Sequence, residues 1–143
     1  MANDTRFRFM NAVHRAVRSL TFGRVGNDVM GMPVLELTTT GRRSGQPRSC
    51  FLTAPVQRGD SYIVVASRGG DDTMPAWFLN LKANPDVMVS LRGGPAQPWT
   101  ARVLPDDERD ALWPELTSSY PNYAGYQRKT ARTIPLVELT PQG

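Results

Sequence analysis

The sequence predicts a mainly β chain folded as a small antiparallel barrel, with helices set between its strands. Six short segments rich in Val, Leu, Ile and Thr suit a pleated, half-buried surface. Arg58-Gly59-Asp60 and Gly93-Gly94-Pro95 join neighbouring segments by links short enough for hairpins. Helical stretches interrupt the series without the strict strand–helix alternation of a parallel sheet. At 143 residues, one domain spanning 1–143 is expected, large enough for a substantial core.

The elements come in a clear order. Residues 5–21 read as a basic helix, because Met10, Val13, Val17 and Leu20 recur at helical spacing after the capping candidates Asn3, Asp4 and Thr5. Arg6, Arg8, Arg15 and Arg18 fall mostly on its other faces. Such a helix packs one face on a core in most proteins, and its charge also suits peripheral contact with a membrane surface. Strands are expected over 33–40, 49–57, 61–67, 87–92 and 99–104, with a sixth over 133–140 in which Pro135 favours an edge or a strand start. Helices are expected over 75–83 and 105–117, each opening on a proline. Asp106, Asp107 and Glu108 stand in the first turn of the second, where the helix dipole favours acidic groups.

Composition narrows the chemistry. Seventeen Lys and Arg against thirteen Asp and Glu give a net charge of +4, which favours anionic partners such as phosphorylated cofactors. A single cysteine, Cys50, excludes an internal disulfide and points to a reducing, cytoplasmic compartment. One His and one Cys make no metal ligand set, so no metal is expected. No apolar run is long enough to span a bilayer, and no cleavable leader pattern opens the chain.

Four stretches carry the candidate site. Thr38 to Arg48 reads TTTGRRSGQPR: Gly41 and Gly45 allow a tight turn of converging N–H groups, and Arg42, Arg43 and Arg48 add forked donors matching phosphate oxygens. Alone, this motif also describes a solvated basic hairpin turn. Val65-Ala66-Ser67-Arg68-Gly69-Gly70 would let a planar ligand approach the backbone closely, although any glycine-rich loop end reads alike. Residues 75–85 place Trp77, Asn80, Leu81 and Asn84 on neighbouring helical positions, as an aromatic wall with an amide group or as plain core. Tyr120, Tyr123 and Tyr126, three apart, form either a substrate wall with polar tips or the packing face of a short helix.

Together with the ending RTIPLV, these stretches resemble, in order and spacing, the deazaflavin-dependent nitroreductase-like reductases that use coenzyme F420. The resemblance runs from the first helix to Leu139. It implies a six-stranded antiparallel split β-barrel of the FMN-binding, pyridoxamine-phosphate-oxidase-like type. It implies that Arg42, Arg43, Ser44 and Arg48 hold the coenzyme's phosphate and the start of its acidic tail, with Ser49, Cys50, Phe51 and Leu52 running beneath the ring system. Val65, Ala66, Ser67 and Arg68 would contact the deazaflavin, Gly69 and Gly70 would shape that loop, and Ala76, Trp77, Phe78, Leu79 and Asn80 would close the remaining side. Tyr120, Tyr123 and Tyr126 match positions lining the substrate pocket. Phe78 stands where several members carry tyrosine, and Thr53-Ala54-Pro55 where some do.

The chemistry that follows is hydride transfer from reduced coenzyme F420 to a flat conjugated acceptor: a quinone, a nitroaromatic, or an unsaturated lactone such as an aflatoxin-type coumarin. Ser67 and Tyr126 are the catalytic candidates, hydrogen-bonding the acceptor oxygen or passing on a proton, with solvent an equal proton source. Two other readings remain: an FMN enzyme on the same barrel, and a nucleic-acid-binding barrel, disfavoured because the aromatics fall largely in helical or loop segments. A homodimer is open, with Trp99 or Trp113 available to an interface.

Overall fold

A computed structural model describes residues 28–143. The basic helix expected over 5–21 lies outside the described residues. Strands β1 (Asp28–Val29) and β2 (Met32–Thr40) form a hairpin around Met30 and Gly31. Both turn residues have positive φ, +53° and +80°, the conformation that matches strand twist in a two-residue turn. There follow β3 (Pro47–Thr53), β4 (Val56–Arg58), β5 (Ser61–Val65), a 3-10 turn at Arg68–Gly70, α1 (Ala76–Ala83), β6 (Asp86–Leu91) and β7 (Gln97–Val103). Helices α2 (Asp106–Ser119) and α3 (Pro121–Arg128) precede the last strand, β8 (Leu136–Pro141).

All pairings are antiparallel. β2 pairs with β3 on one side, from Thr40↔Pro47 to Val34↔Thr53, and with β6 on the other. From β6 the order continues through β7, β8 and β5 to β4. Since β3 and β4 are consecutive in the chain, the run 47–58 leaves one end of this series and joins the other. Counting that run as one strand, and setting aside the two-residue β1, gives the six strands of a split barrel.

The stretch expected as a single strand over 49–57 is therefore two. Pro55 has no N–H to offer a ladder, so pairing with β2 ends at the Ala54 N–H, which donates to the Pro33 carbonyl at 3.0 Å. The break lets the chain change partners, from β2 to β5.

The core has two parts that share strands. Along β5, Tyr62, Val64 and Ala66 face the barrel interior with Leu35, Leu37, Val89 and Leu139, while Ile63 and Val65 face a second cluster under α2 and α3. That alternation is the two-residue period of a strand buried on both faces. Phe78 and Leu81 of α1 join the first cluster, and Leu112, Leu116 and Tyr123 the second. Each fully buried side chain of this size contributes roughly 1.5–3 kcal/mol. Trp99 is buried against Tyr62 at 5.9 Å, and the Arg109 guanidinium lies 4.0 Å over the Trp113 ring. Among the described residues no helix is long and apolar enough to cross a membrane.

Candidate cofactor and acceptor site

The arginine turn leaves the end of β2 and re-enters the sheet as β3. Gly41 donates to the Gln46 carbonyl at 2.8 Å and Gly45 to the Gly41 carbonyl at 2.9 Å, closing a compact loop. Gly45 has φ +70°, which favours glycine, and a Cβ on Gly41 would stand 2.6 Å from Ser44 Oγ, so a side chain there would have to turn that hydroxyl aside. Ser44 Oγ accepts from the Gln46 N–H at 3.1 Å and from Arg48 Nη2 at 3.4 Å.

Asn80, buried on α1, fixes the rest of the turn. Its Oδ1 accepts from the Arg42 backbone N–H at 3.2 Å and from Arg42 Nη1 at 3.0 Å, and its Nδ2 donates to Thr39 Oγ1 at 3.1 Å. Arg43 is exposed and has no hydrogen-bond or ion-pair partner among the described residues. The turn, the start of β3 and α1 enclose a cavity of about 360 Å³ lined by Arg42, Arg43, Arg48, Cys50, Trp77 and Asn80 among others. Gly41, Ser44, Ser49 and Ala76 complete its wall.

β3 runs away from this cavity. Ser49 Oγ and Thr38 Oγ1 share a hydrogen bond of 2.7 Å. Cys50 and Leu52 pack against the interior cluster, whereas Phe51 points outward and is 43% exposed. Burial, and then the Glu36 carboxylate, push the Cys50 thiol up to about 12, which leaves it an unreactive thiol rather than a nucleophile. Glu36 itself is buried, neither carboxylate oxygen has a hydrogen-bond partner among the described residues, and burial raises its pKa.

At the far end of β3, Thr53 Oγ1 meets the Tyr123 hydroxyl at 3.4 Å. The three tyrosines stand at the start and on the body of α3, packed edge to face at 6.5 Å (Tyr120–Tyr123) and 5.9 Å (Tyr123–Tyr126). Tyr123 is buried, and burial raises its phenol pKa; Tyr120 and Tyr126 are half-buried. α3 packs on the 3-10 turn so closely that a Cβ on Gly70 would lie 2.7 Å from the Tyr126 carbonyl. Ser67 is buried just before that turn.

The structure thus gathers the sequence candidates into two groups joined by β3. Arg42, Arg43, Ser44, Arg48, Ser49, Cys50, Ala76, Trp77 and Asn80 line one cavity. Ser67 and the turn Arg68–Gly70 stand beside the tyrosine helix. Val65 lies in the second core cluster, Ala66 and Phe78 in the first, and Leu52 and Leu79 pack against the first from outside. Arg132, which opens the RTIPLV ending but carries no role in the sequence analysis, has a guanidinium that holds three backbone carbonyls around Ser67. Gln127, also without a role there, ties α3 to the segment before β8. An arginine two residues before the apolar run Ile134-Pro135-Leu136 was the only signal.

A split barrel with a cationic turn bordering a cavity suits the binding of an anionic cofactor. The chain is a member of the F420H(2)-dependent quinone reductase family, which matches residues 9–141. An F420H(2)-dependent quinone reductase of Mycobacterium tuberculosis is 42% identical over 135 residues, covering 90% of this chain and 87% of the relative. A solved F420-H2-dependent reductase (FDR-A) superposes with a TM-score of 0.62 at 41% identity, covering 75% of this chain and 93% of its own. A solved domain-swapped dimer gives a TM-score of 0.66 at 35% identity, covering 95% and 98%. The heme storage protein HutZ of Vibrio cholerae shares the fold at 15% identity, with a TM-score of 0.56. The protein is accordingly an oxidoreductase that depends on reduced F420. The residues present fit that coenzyme's anionic part, since the exposed Arg43 guanidinium borders an open cavity that Arg42 and Arg48 also line.

Proposed function

We propose that this chain reduces quinone-type acceptors, with the arginine turn holding the anionic part of F420 and the far end of β3 marking the acceptor side. The observation that carries this reading is the path of β3. It begins at the cationic cavity, at Arg48 and Ser49, and ends at Thr53 against Tyr123, about 17 Å further on at strand rise. A long coenzyme with a charged tail and a flat ring matches such a path. When bound, the reduced deazaflavin supplies a two-electron hydride donor.

The chain's own residues then have distinct tasks. Arg43 and Arg48 neutralise phosphate and carboxylate oxygens, and Arg42, already engaged by Asn80, shapes the turn. Trp77 covers one side of the cavity. Ser67 Oγ and the Tyr126 hydroxyl hydrogen-bond the acceptor oxygen as negative charge grows there. The half-buried ring edges of Tyr120 and Tyr126 exclude water from a flat acceptor. Nitroaromatics and unsaturated lactones share the required flatness and an electrophilic carbon or nitrogen, and rank behind quinones. The dimeric neighbour supports a homodimer as the working assembly.

Loss of reduced-deazaflavin absorbance, followed with a panel of quinones, nitroaromatics and furanocoumarins, tests the assignment. Quinones should give the highest kcat/KM. Turnover confined to another acceptor class would overturn the quinone reading.

A further inference from the structure

Arg132 is the most heavily engaged side chain near the site, and nothing above gives it a role in the reaction. Its Nη2 donates to the Ser67 carbonyl at 2.8 Å, its Nη1 to the Ala66 carbonyl at 3.2 Å, and its Nε to the Asp71 carbonyl at 2.9 Å. Nη1 also lies 3.4 Å from Met74 Sδ. These carbonyls bracket the 3-10 turn, in which Arg68, Gly69 and Gly70 have φ of +46°, +64° and +87°. Three successive left-handed residues, one of them an arginine, are a backbone that its surroundings must hold in place.

The same arginine is anchored to the tyrosine helix. Gln127, next to Tyr126 on α3, donates from Nε2 to the Arg132 carbonyl at 2.7 Å and accepts at Oε1 from the Ile134 N–H at 2.9 Å. The buried Arg109 of α2 holds that Gln127 Oε1 at 2.9 Å and the Ile134 carbonyl at 3.0 Å. Thr130 adds a bond to Asp72, just past the turn, at 2.7 Å.

We propose that Arg132 is a positioning residue for the reductase site: it locks the Ser67 turn to the tyrosine helix, so that Ser67 and Tyr126 keep one fixed relation across the reacting centre. This rests on the proposed placement of Ser67 and Tyr126 at the acceptor. Lysine cannot reproduce the function, because one ammonium cannot reach three carbonyls in the plane that a guanidinium spans. The arginine turn lies elsewhere, so Arg132 affects turnover rather than capture of the coenzyme's charged tail.

The test compares the wild type, Arg132→Ala and Arg132→Lys for kcat with a quinone, coenzyme Kd, and melting temperature. Arg132→Ala should lower kcat about 10- to 100-fold, the scale of an ångström of misplacement, with a smaller fold-change in coenzyme Kd. Millimolar methylguanidinium should restore part of that kcat by refilling the vacated site, whereas methylammonium should not. Arg132→Lys should lose kcat similarly, and it carries the comparison should the alanine variant fail to fold. Unchanged kcat in either folded variant, or full activity in the lysine variant, would overturn the proposal while leaving the quinone-reductase reading intact. A wild type with no F420-dependent turnover would overturn both.

Discussion

Asn80 and Arg42, 38 residues apart, meet through two hydrogen bonds onto one oxygen: Asn80 Oδ1 accepts the Arg42 backbone N–H and its Nη1 together. Helix α1 thereby sets the conformation of the turn after β2, and one guanidinium is held in place before any anion arrives. Such prior ordering lowers the entropy lost on binding.

Asn80→Ala should therefore act on fold and affinity alike. It leaves the Arg42 N–H and Thr39 Oγ1 short of a partner, which should cost about 1–3 kcal/mol of stability. Coenzyme affinity should fall with it as the turn loses its anchor. Chemical denaturation and a fluorescence titration measure the two effects, and a change in stability alone would separate Asn80 from the cradle.

Gly70→Ala should disturb the acceptor side. The residue sits at φ +87° and its new Cβ would press on the Tyr126 carbonyl and Cα at 2.7 and 3.0 Å, all backbone atoms with little room to yield. A loss of about 1–3 kcal/mol in stability is expected, and the displaced Tyr126 should raise the acceptor KM more than the coenzyme Kd.

Glu36 should make the protein less stable as pH rises. Burial lifts its pKa above the ordinary 4.5, so between those two values the folded chain holds a proton that the unfolded chain has lost. Stability falls with increasing pH across that window and then levels off. Glu36→Gln removes the charge, and should gain on the order of 1 kcal/mol at pH 8 and nothing below about pH 4, where both states of the wild type are protonated. Melting temperatures of both proteins at the two pH values provide the comparison.

Much of the fold was legible because it rests on local signals. Runs rich in Val, Leu, Ile and Thr and the hairpin links placed the strands, and prolines marked the helix starts. The arginine turn was legible for the same reason, since its glycines and cations are contiguous. The break at Ala54-Pro55 was not, because an apolar run reads the same whether it pairs with one strand or changes partners. Contacts between distant residues were equally hidden. Nothing near Arg132 in sequence signals that it holds Ala66 and Ser67, 66 and 65 residues away. Spacing placed the three tyrosines together, but not against the Ser67 turn, which α3 reaches only through the tertiary approach of Tyr126 to Gly70.

The central claim is that the turn after β2 binds the coenzyme's anionic part, and Arg43 is its cleanest probe, being exposed and without a partner among the described residues. The decisive measurement is a titration of F420 into the wild type and Arg43→Ala at matched salt, with melting curves alongside. The account predicts saturable binding by the wild type. It predicts affinity weaker by about 10- to 100-fold in the variant, from one lost charge-assisted bond of roughly 1.5–3 kcal/mol, at an unchanged melting temperature. Equal affinity in the two proteins, or no uptake by the wild type, would contradict it.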